Sequence, residues 1–293
     1  MKFRFAKKSD KEVILKFCIN TFGWGDYIDQ VWEMWFSEPN GALFVAENGI
    51  SNNKGSAIAF SHVSVCPYRR NIWLEGIRVN PDYRRRSIAT ELIRKMLSYG
   101  KRKGAREASA IVAVNNLPSQ LMMKKSGFNM ISKWCYYSIE KPKEFRNVNA
   151  RIATFNDIKK VRNYLKQSQI YKSSGKRYVN SWRWYPIDSK TLLNFIKDQK
   201  LVIVGNDVIK GIAIINGDGY WKRKNVFQIV YLDSVTVSSL YDLIGFVIML
   251  VHSAHDRYKR LQIFSPQTRQ VSSIMEQLNL VNSEEFLLYR KEI

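Results

Sequence analysis

Three consecutive arginines, at positions 84–86, open the stretch of this sequence best suited to binding a phosphorylated ligand. Small side chains follow at Ser87 and Ala89, and apolar residues recur at helical spacing from Ile88 to Leu97. The first turn of a helix has unpaired backbone N–H groups at the positive end of the helix dipole, and both attract anions. Each charge-assisted hydrogen bond to a phosphate oxygen contributes about 1.5–3 kcal/mol. The stretch therefore predicts a phosphate site; the alternative is a capped surface helix beside a solvated basic loop.

The elements around this loop must hold it in place. An apolar strand, Trp73–Val79, leads through Pro81 into the loop, and a second strand, Ala108–Val114, follows the helix. Because positive φ is costly without glycine, we expect either a helical or bridging conformation at Ser87 or weaker binding of the ligand.

The order of elements occurs twice in the chain. Arg4–Asp10 is echoed by Arg151–Asp157, where a short strand leads to a polar helix cap. The strand Leu43–Ala46 is matched by Leu201–Val204. The repeat predicts an α/β (α+β) fold with domains at 1–141 and 151–293, joined by a linker at 142–150. Two unrelated α/β domains remain the alternative.

The phosphate loop resembles the acyl-CoA signature of the GNAT superfamily, R/Q-x-x-G-x-G/A, with Arg84, Ser87 and Ala89 on its three defined positions. A later block of that family, N-x-x-A-x-x-L-Y-x-K-x-G-F, is matched in register. Its matching residues here are Asn116, Ser119, Lys125, Gly127 and Phe128. The two blocks stand in the family's order, and the resemblance covers roughly residues 2 to 140.

The resemblance implies two GNAT-like domains, each a mixed, mostly antiparallel twisted sheet with helices on both faces. It implies acetyl-CoA, or another acyl-CoA, as co-substrate and no metal. The implied cofactor-binding residues are Ile77, Arg78, Val79, Arg84, Arg85, Arg86, Ser87, Ile88, Ala89, Thr90, Asn116 and Ser119. The backbone of 77–79 would pair with the pantetheine arm, and the loop would hold the pyrophosphate. Lys101–Lys103 could meet the outer phosphate, although a solvated helix end is the simpler interpretation.

The resemblance also suggests catalytic and acceptor-binding residues. Glu75 lies where some relatives place a general base, which an amine needs because an unperturbed lysine has a pKa near ~10.4. Met123 stands where the family often has a proton-donating tyrosine, so the thiolate leaves with help from another donor or the domain transfers slowly. Asp26 could hold a cationic amine between Trp24 and Tyr27. Trp32, Trp35 and Phe36 are expected to pack a short helix on the sheet.

The second half lacks the phosphate-loop pattern, because residues 232–240 contain neither arginine nor glycine. This half is therefore expected to have lost cofactor binding. Its aromatic group at 178–185 is predicted to be core. His252 and His255 lie three apart without a nearby Glu or Cys partner, so no metal site is expected there.

Bulk composition limits the classes of function. The net charge of +22 suits a polyanionic partner, yet no nucleic-acid motif supports nucleic acid as the ligand. Three cysteines and no long apolar run predict a cytoplasmic protein that does not bind membranes. The leading hypothesis is an N-acyltransferase, most simply an N-acetyltransferase, acting on a small-molecule or peptide primary amine by direct attack in a ternary complex. The alternatives are a nucleic-acid-binding protein or an acyl-CoA sensor with a vestigial site.

Overall fold

The chain forms two compact units in the computed structural model. Residues 1–22, 25–49, 56–66, 70–140, 142, 148–220, 223–254, 257–278 and 282–293 are described. One unit contains Met1–Met130 and Tyr289–Ile293, and the other contains Ile131–Leu288. Within the described residues, no helix is long and apolar enough to cross a membrane.

The first unit is built from a sheet with helices on both faces. Its elements are β1 (Lys2–Phe5), α1 (Lys11–Cys18), α2 (Ile28–Phe36), β2 (Gly41–Glu47), β3 (Ala57–Cys66), β4 (Asn71–Val79), α3 (Ile88–Arg102), β5 (Glu107–Ala113) and α4 (Leu117–Lys125). The strand order is β1-β2-β3-β4-β5. Neighbours from β1 to β4 are antiparallel, and β4 and β5 are parallel.

Alternation along β4 assigns the helices to opposite faces of this sheet. Gly100 of α3 is so close to Ile72 that a Cβ at position 100 would lie 2.6 Å from its Cδ1. Glu75 stands opposite His62, whose ring is stacked on Trp35 of α2. Because successive strand residues point to opposite faces, Ile72 faces α3 while Glu75 faces α2.

The second unit repeats this plan and adds a separate hairpin. Its elements are β6 (Asn129–Glu140), β7 (Ala150–Ile152), α5 (Ile158–Gln167), α6 (Gln169–Ser173), β8 (Arg177–Asn180), β9 (Arg183–Pro186), α7 (Ser189–Lys197), β10 (Leu201–Val204), β11 (Gly211–Asn216), β12 (Val226–Ser234), α8 (Val237–Ser253), β13 (Arg260–Pro266), α9 (Arg269–Gln277) and β14 (Asn282–Glu292). The strand order is β14-β6-β13-β12-β11-β10-β7, with β12 and β13 parallel. The hairpin pairs β8 with β9.

The same ion pair closes the start of both repeats. Arg4 donates to the two carboxylate oxygens of Asp10 at 2.7 and 2.9 Å. Arg151 does the same with Asp157, at 2.8 Å for both bonds. Each aspartate also accepts a backbone N–H three residues earlier, from Lys7 or from Thr154. The predicted α/β fold, with a mixed, mostly antiparallel sheet and helices, is confirmed.

The compact units differ from the sequence repeats in their last strands. β6 closes the first repeat, but from Ile131 onward it belongs to the second unit, where it pairs with β13 from Arg260–Glu140 to Pro266–Trp134. The end of β14 belongs to the first unit, where Ile293 N donates to Arg106 O at 3.0 Å. Each unit therefore contains the end of the other repeat, and the boundaries drawn at 1–141 and 151–293 stay predictions about the repeats.

Candidate active site

A β-bulge in β4 shapes the centre of the site. Phe60 of β3 stands opposite Arg78 and His62 stands opposite Glu75, so the two residues Gly76 and Ile77 face a single residue of β3. Gly76 has φ +65°, which favours glycine. A Cβ at position 76 would also lie 2.5 Å from the Trp35 indole. The extra residue turns Arg78 to the face that Glu75 occupies, whereas a regular strand would separate the two.

Strands β4 and β5 are paired only at their first residues. The parallel ladder joins Asn71–Trp73 to Glu107–Ser109 and then stops, although β4 continues to Val79 and β5 to Ala113. Beyond the ladder, no described strand pairs with the backbone of β4 around the predicted segment 77–79 on its β5 side. Where two strands separate in this way, their backbone donors and acceptors can bind an extended ligand, as those of an exposed sheet edge do.

The loop before α3 has the open amides that a phosphate site requires. The first hydrogen bond of the helix runs from Glu91 N to Ser87 O at 3.0 Å, so the amides of Ile88, Ala89 and Thr90 have no acceptor within the helix. Within the described residues, the Ser87 side chain makes no capping hydrogen bond. Its backbone adopts φ 58° and ψ 12°, so the expected helical or bridging conformation is wrong. A short polar residue tolerates this left-handed conformation at a cost of about 1–2 kcal/mol, and Ser87 stands where the family has glycine.

The three loop arginines are exposed beside this helix start. Arg84 Nε donates to Val79 O at 3.3 Å, and Arg86 Nη2 donates to Asp82 O at 3.3 Å. The Arg86 guanidinium also lies 5.2 Å from the centre of the Tyr83 ring. These bonds to backbone carbonyls leave the positive charge of both side chains unneutralised. Arg85 is exposed as well, with φ +61°.

Asn116 and Ser119 form the start of α4. Asn116 Oδ1 accepts from Ser119 N at 3.1 Å, which caps the helix. The cap uses the side-chain oxygen and leaves the exposed amide nitrogen as the donor. A pantetheine role for Asn116 is compatible with that geometry and stays a prediction. Lys101, Arg102 and Lys103 are exposed at the other end of α3, and their phosphate role also stays a prediction.

Glu75 is hydrogen-bonded to a buried histidine. His62 Nδ1 lies 2.8 Å from Glu75 Oε1, and His62 Nε2 lies 3.5 Å from Glu38 Oε2. The Glu75 side chain is 11% exposed, so it is partly accessible, while His62 is fully buried. Neither His62 nor Glu38 was predicted from the sequence. The available signal was a single histidine in the apolar strand β3, but the bulge decides which β4 residue it meets.

The predicted acceptor residues Asp26 and Tyr27 surround a cation of the chain itself. Arg78 binds Asp26 through Nε at 2.8 Å and Nη2 at 3.3 Å. Its guanidinium lies 5.1 Å from the centre of the Phe22 ring and 5.4 Å from that of Tyr27. Burial raises the pKa of the Tyr27 phenol above its ordinary value of 10.0, against the opposing effect of Arg78. Trp24 lies outside the described residues, and the acceptor roles stay predictions.

Met123 and the two tryptophans of α2 are packed in the interior of this unit. Met123 is 3% exposed, and Trp32 and Trp35 are each 1% exposed. The packing predicted for the two tryptophans is therefore found.

The second unit closes the equivalent of this site with its own side chains. Thr236 Oγ1 accepts from Ser239 N at 3.1 Å and caps α8, the counterpart of α3. The β12–β13 ladder also stops early, after Ile229–Ile263. Beyond it, buried aromatic rings are packed together, those of Trp134, Trp184, Tyr231 and Phe264. In the described part of this unit, the start of α8 is capped at Ser239 N, and residues 232–240 contain no arginine.

The aromatic group predicted to be core is partly so. Tyr178 and Trp184 are buried, whereas Trp182 and Tyr185 are half-buried. His252 Nε2 lies 2.7 Å from Pro142 O, and His255 is outside the described residues. No group of three metal-binding side chains occurs in the part of the chain that the structure describes.

Comparisons with known proteins show what this chain is similar to. A family model described as the Acetyltransferase (GNAT) family matches residues 13–128. Aminoglycoside N(6')-acetyltransferase type 1 of Salmonella typhimurium is 30% identical over 82 residues, which is 28% of this chain and 57% of that protein. The chain thus spans little more than half the length of the curated relatives it matches.

Two solved structures share the fold over nearly the whole chain. A GCN5-related N-acetyltransferase from Sphaerobacter thermophilus has a TM-score of 0.63 at 13% identity, covering 99% of this chain and 95% of that one. A tandem GNAT protein from the clavulanic acid biosynthesis pathway has a TM-score of 0.52 at 10% identity, covering 99% and 98%. At these identities the likeness concerns the fold alone.

Proposed function

We propose that the protein transfers an acetyl group from acetyl-CoA to a primary amine, on the premise that residues 13–128, which match the acetyltransferase (GNAT) family model, belong to that family. The proposal depends on one observation: the uncapped start of α3 lies beside strands β4 and β5 where these two strands separate. Three exposed arginines precede helix amides without a helical acceptor, and the β4–β5 ladder ends after Trp73 and Ser109. A phosphate-bearing chain with an amide-containing arm fits both features.

The residues divide the binding of acetyl-CoA between them. The amides of Ile88, Ala89 and Thr90 would bind the pyrophosphate, with Arg84 and Arg86 neutralising its charge. The unpaired edge of β4 at 77–79 would hydrogen-bond the pantetheine arm, and Asn116 would donate to it from α4. Acetyl-CoA supplies the thioester carbonyl that the amine attacks.

Glu75 is the proposed general base. Its carboxylate takes a proton from the acceptor ammonium, directly or through a water, and the nitrogen lone pair becomes free to attack. Its partial exposure and its position beside the bulge support this role. Met123 is buried and has no proton to give, so protonation of the departing thiolate falls to solvent or to another donor.

A cationic small-molecule amine is the proposed acceptor class. Although the whole chain carries a charge of +22, the face of β4 toward α2 holds three acidic groups, Asp26, Glu38 and Glu75. One of these, Asp26, is bound to the buried cation Arg78. The curated relative is named for acetylation of aminoglycosides, which are polyamines. Aminoglycosides and polyamines therefore come first in a substrate panel.

The second unit is proposed to have a structural role. The Thr236 cap closes its helix start, and aromatic rings are packed where its strands part. We expect one acetyl-CoA to bind per chain.

Thermal stabilisation tests cofactor binding. Acetyl-CoA at about 100 times its Kd is expected to stabilise the protein by about 2.7 kcal/mol. The double variant Arg84→Ala, Arg86→Ala is expected to weaken binding at least about tenfold, because two charge-assisted bonds are lost. The matched control is Arg162→Ala, Lys166→Ala, which removes the same charge from exposed positions on α5 and is expected to bind normally.

Release of free thiol across an amine panel tests turnover. Acetyl-CoA-dependent release with any primary amine, lost in Glu75→Gln, supports the proposal. Stabilisation by acetyl-CoA without turnover on any amine would indicate a sensor instead. Salt-sensitive DNA binding that is indifferent to Arg84 and Arg86 would indicate a nucleic-acid-binding protein.

A further inference from the structure

A buried histidine connects the carboxylates of Glu75 and Glu38. His62 is 0% exposed, and its Nδ1 is 2.8 Å from Glu75 Oε1. On the other side of the ring, Nε2 is 3.5 Å from Glu38 Oε2. The hydroxyl of Ser64 donates to the second oxygen of Glu38. Among the described residues, the titratable side chains that contact this ring are Glu75 from β4 and Glu38 from the turn after α2. Tyr27, which also interacts with Arg78, is the further titratable group coupled to Glu75.

Trp35 and Gly41 enclose the ring in this position. The indole of Trp35 is stacked on it, with ring centres 4.7 Å apart and planes within 4°. Trp35 itself lies against the bulge residue Gly76. At position 41 a Cβ would lie 2.8 Å from His62 Nε2, so glycine leaves room for that nitrogen. The ring can hardly rotate without displacing the indole, which fixes Nδ1 toward Glu75.

Hydrogen-bond capacity identifies the donor in this cluster. An ionised carboxylate only accepts, so a bond between Glu75 and His62 requires a proton on Nδ1. A ring protonated on both nitrogens would also donate toward Glu38. A packing role alone would not require a buried imidazole between two carboxylates, since an apolar ring of similar size avoids the cost of desolvation.

We propose that His62 is a positioning residue that holds Glu75 ionised and oriented as the base, with Glu38 and Trp35 fixing the imidazole. This inference rests on the proposed acetyl transfer and extends it to residues that do not touch the substrate. The bond from Nδ1 holds Oε1 of Glu75, and the same carboxylate takes the proton of the acceptor ammonium. When that N–H bond breaks, its electron pair stays on nitrogen and the proton forms a bond to a carboxylate oxygen of Glu75.

The pH dependence of turnover is the first test. His62→Phe keeps a ring but no donor, so kcat is expected to fall about tenfold while the KM for acetyl-CoA stays within about twofold. The acid limb of the pH profile of kcat/KM is expected to shift to higher pH by about one unit, because a carboxylate without its hydrogen-bond donor is protonated more easily. His62→Gln, which retains an N–H donor, is expected to restore part of both losses. Glu38→Gln is expected to give a smaller shift in the same direction.

A matched packing variant separates positioning from stability. Trp32→Phe shortens another buried ring of α2, one that contacts Phe60 and Phe36 rather than the histidine. It is expected to lower the melting temperature without moving the acid limb. An acid limb that moves as far in Trp32→Phe as in His62→Phe, or stays fixed in both, overturns the proposal.

The protonation of the ring can be measured without turnover. The chain has three histidines, so His252→Gln, His255→Gln leaves a single one for ¹⁵N NMR. We expect a protonated Nδ1 at neutral pH, and we expect its signal to change in Glu75→Gln. A bare Nδ1 in an enzyme that turns over would overturn the inference alone. A protonated Nδ1 in a protein without activity on any amine would refute the proposed function and leave the His62–Glu75 bond standing.

Discussion

Arg78→Ala is expected to destabilise the first unit strongly, because it leaves a buried carboxylate without its cation. The Asp26 side chain is 5% exposed and that of Arg78 is 15% exposed, and two N···O contacts of 2.8 and 3.3 Å join them. Removing one partner of a buried ion pair costs about 3–5 kcal/mol. The partial exposure of Arg78 places the expected loss near the lower end, about 3 kcal/mol, including its contacts with the Phe22 and Tyr27 rings.

Urea unfolding, monitored by hydrogen exchange in peptides from α2 and β4, measures the loss in free energy of unfolding for the first unit alone. The matched control is Arg94→Ala, which breaks an exposed pair with Glu91 whose side chains are 61% and 32% exposed. That change is expected to cost at most about 0.5 kcal/mol. The double variant Arg78→Met, Asp26→Asn removes both charges and is expected to be more stable than Arg78→Ala. An Arg78→Ala loss within about 1 kcal/mol of the control would refute the reasoning, since the pair would then behave as a surface contact.

Three further changes probe the bulge, the phosphate loop and the second repeat. Gly76→Ala is expected to cost roughly 2–4 kcal/mol in urea unfolding, because it combines positive φ with a clash against Trp35; a loss under about 1 kcal/mol would argue against the bulge. Ser87→Gly is expected to raise the free energy of unfolding by up to about 1 kcal/mol and to leave acetyl-CoA affinity equal or higher, and calorimetric titration that shows weaker binding would contradict this. The Arg151 guanidinium holds the pKa of Asp157 below its ordinary value of 3.8. The contribution of the ionised Asp157 to the free energy of unfolding is therefore complete above pH 3.8 and is lost as the pH falls further. Asp157→Ala should therefore cost about 1–2 kcal/mol at pH 7 and approach wild type in acid-unfolding curves below about pH 3.8, and a constant difference would be inconsistent with the ion pair.

The local elements of the site could be predicted because their signals are short-range. The arginines at 84–86 and the start of α3 both depend on neighbours within a few residues. The repeat was also visible, because Arg4–Asp10 and Arg151–Asp157 form the same closed turn from similar sequences.

The contacts between distant segments could not be predicted in the same way. The bulge at Gly76 depends on the indole of Trp35, and it alone brings Glu75 and Arg78 to one face. Without that shift in register, His62 could not be matched to Glu75, nor Arg78 to Asp26.

Two other features of the fold could not be predicted from local sequence patterns. The repeats reveal the order of their strands but not that β6 packs in the second unit and the end of β14 in the first. The left-handed conformation of Ser87 contradicts its local preference and occurs where the chain turns into α3.

The most direct test of the account is a crystal structure of the protein with bound coenzyme A. The account predicts pyrophosphate oxygens within hydrogen-bond distance of the amides of Ile88, Ala89 and Thr90, and a pantetheine arm between β4 and β5 beyond Trp73. A pyrophosphate bound elsewhere, or a gap between these strands filled by neighbouring side chains, would contradict it.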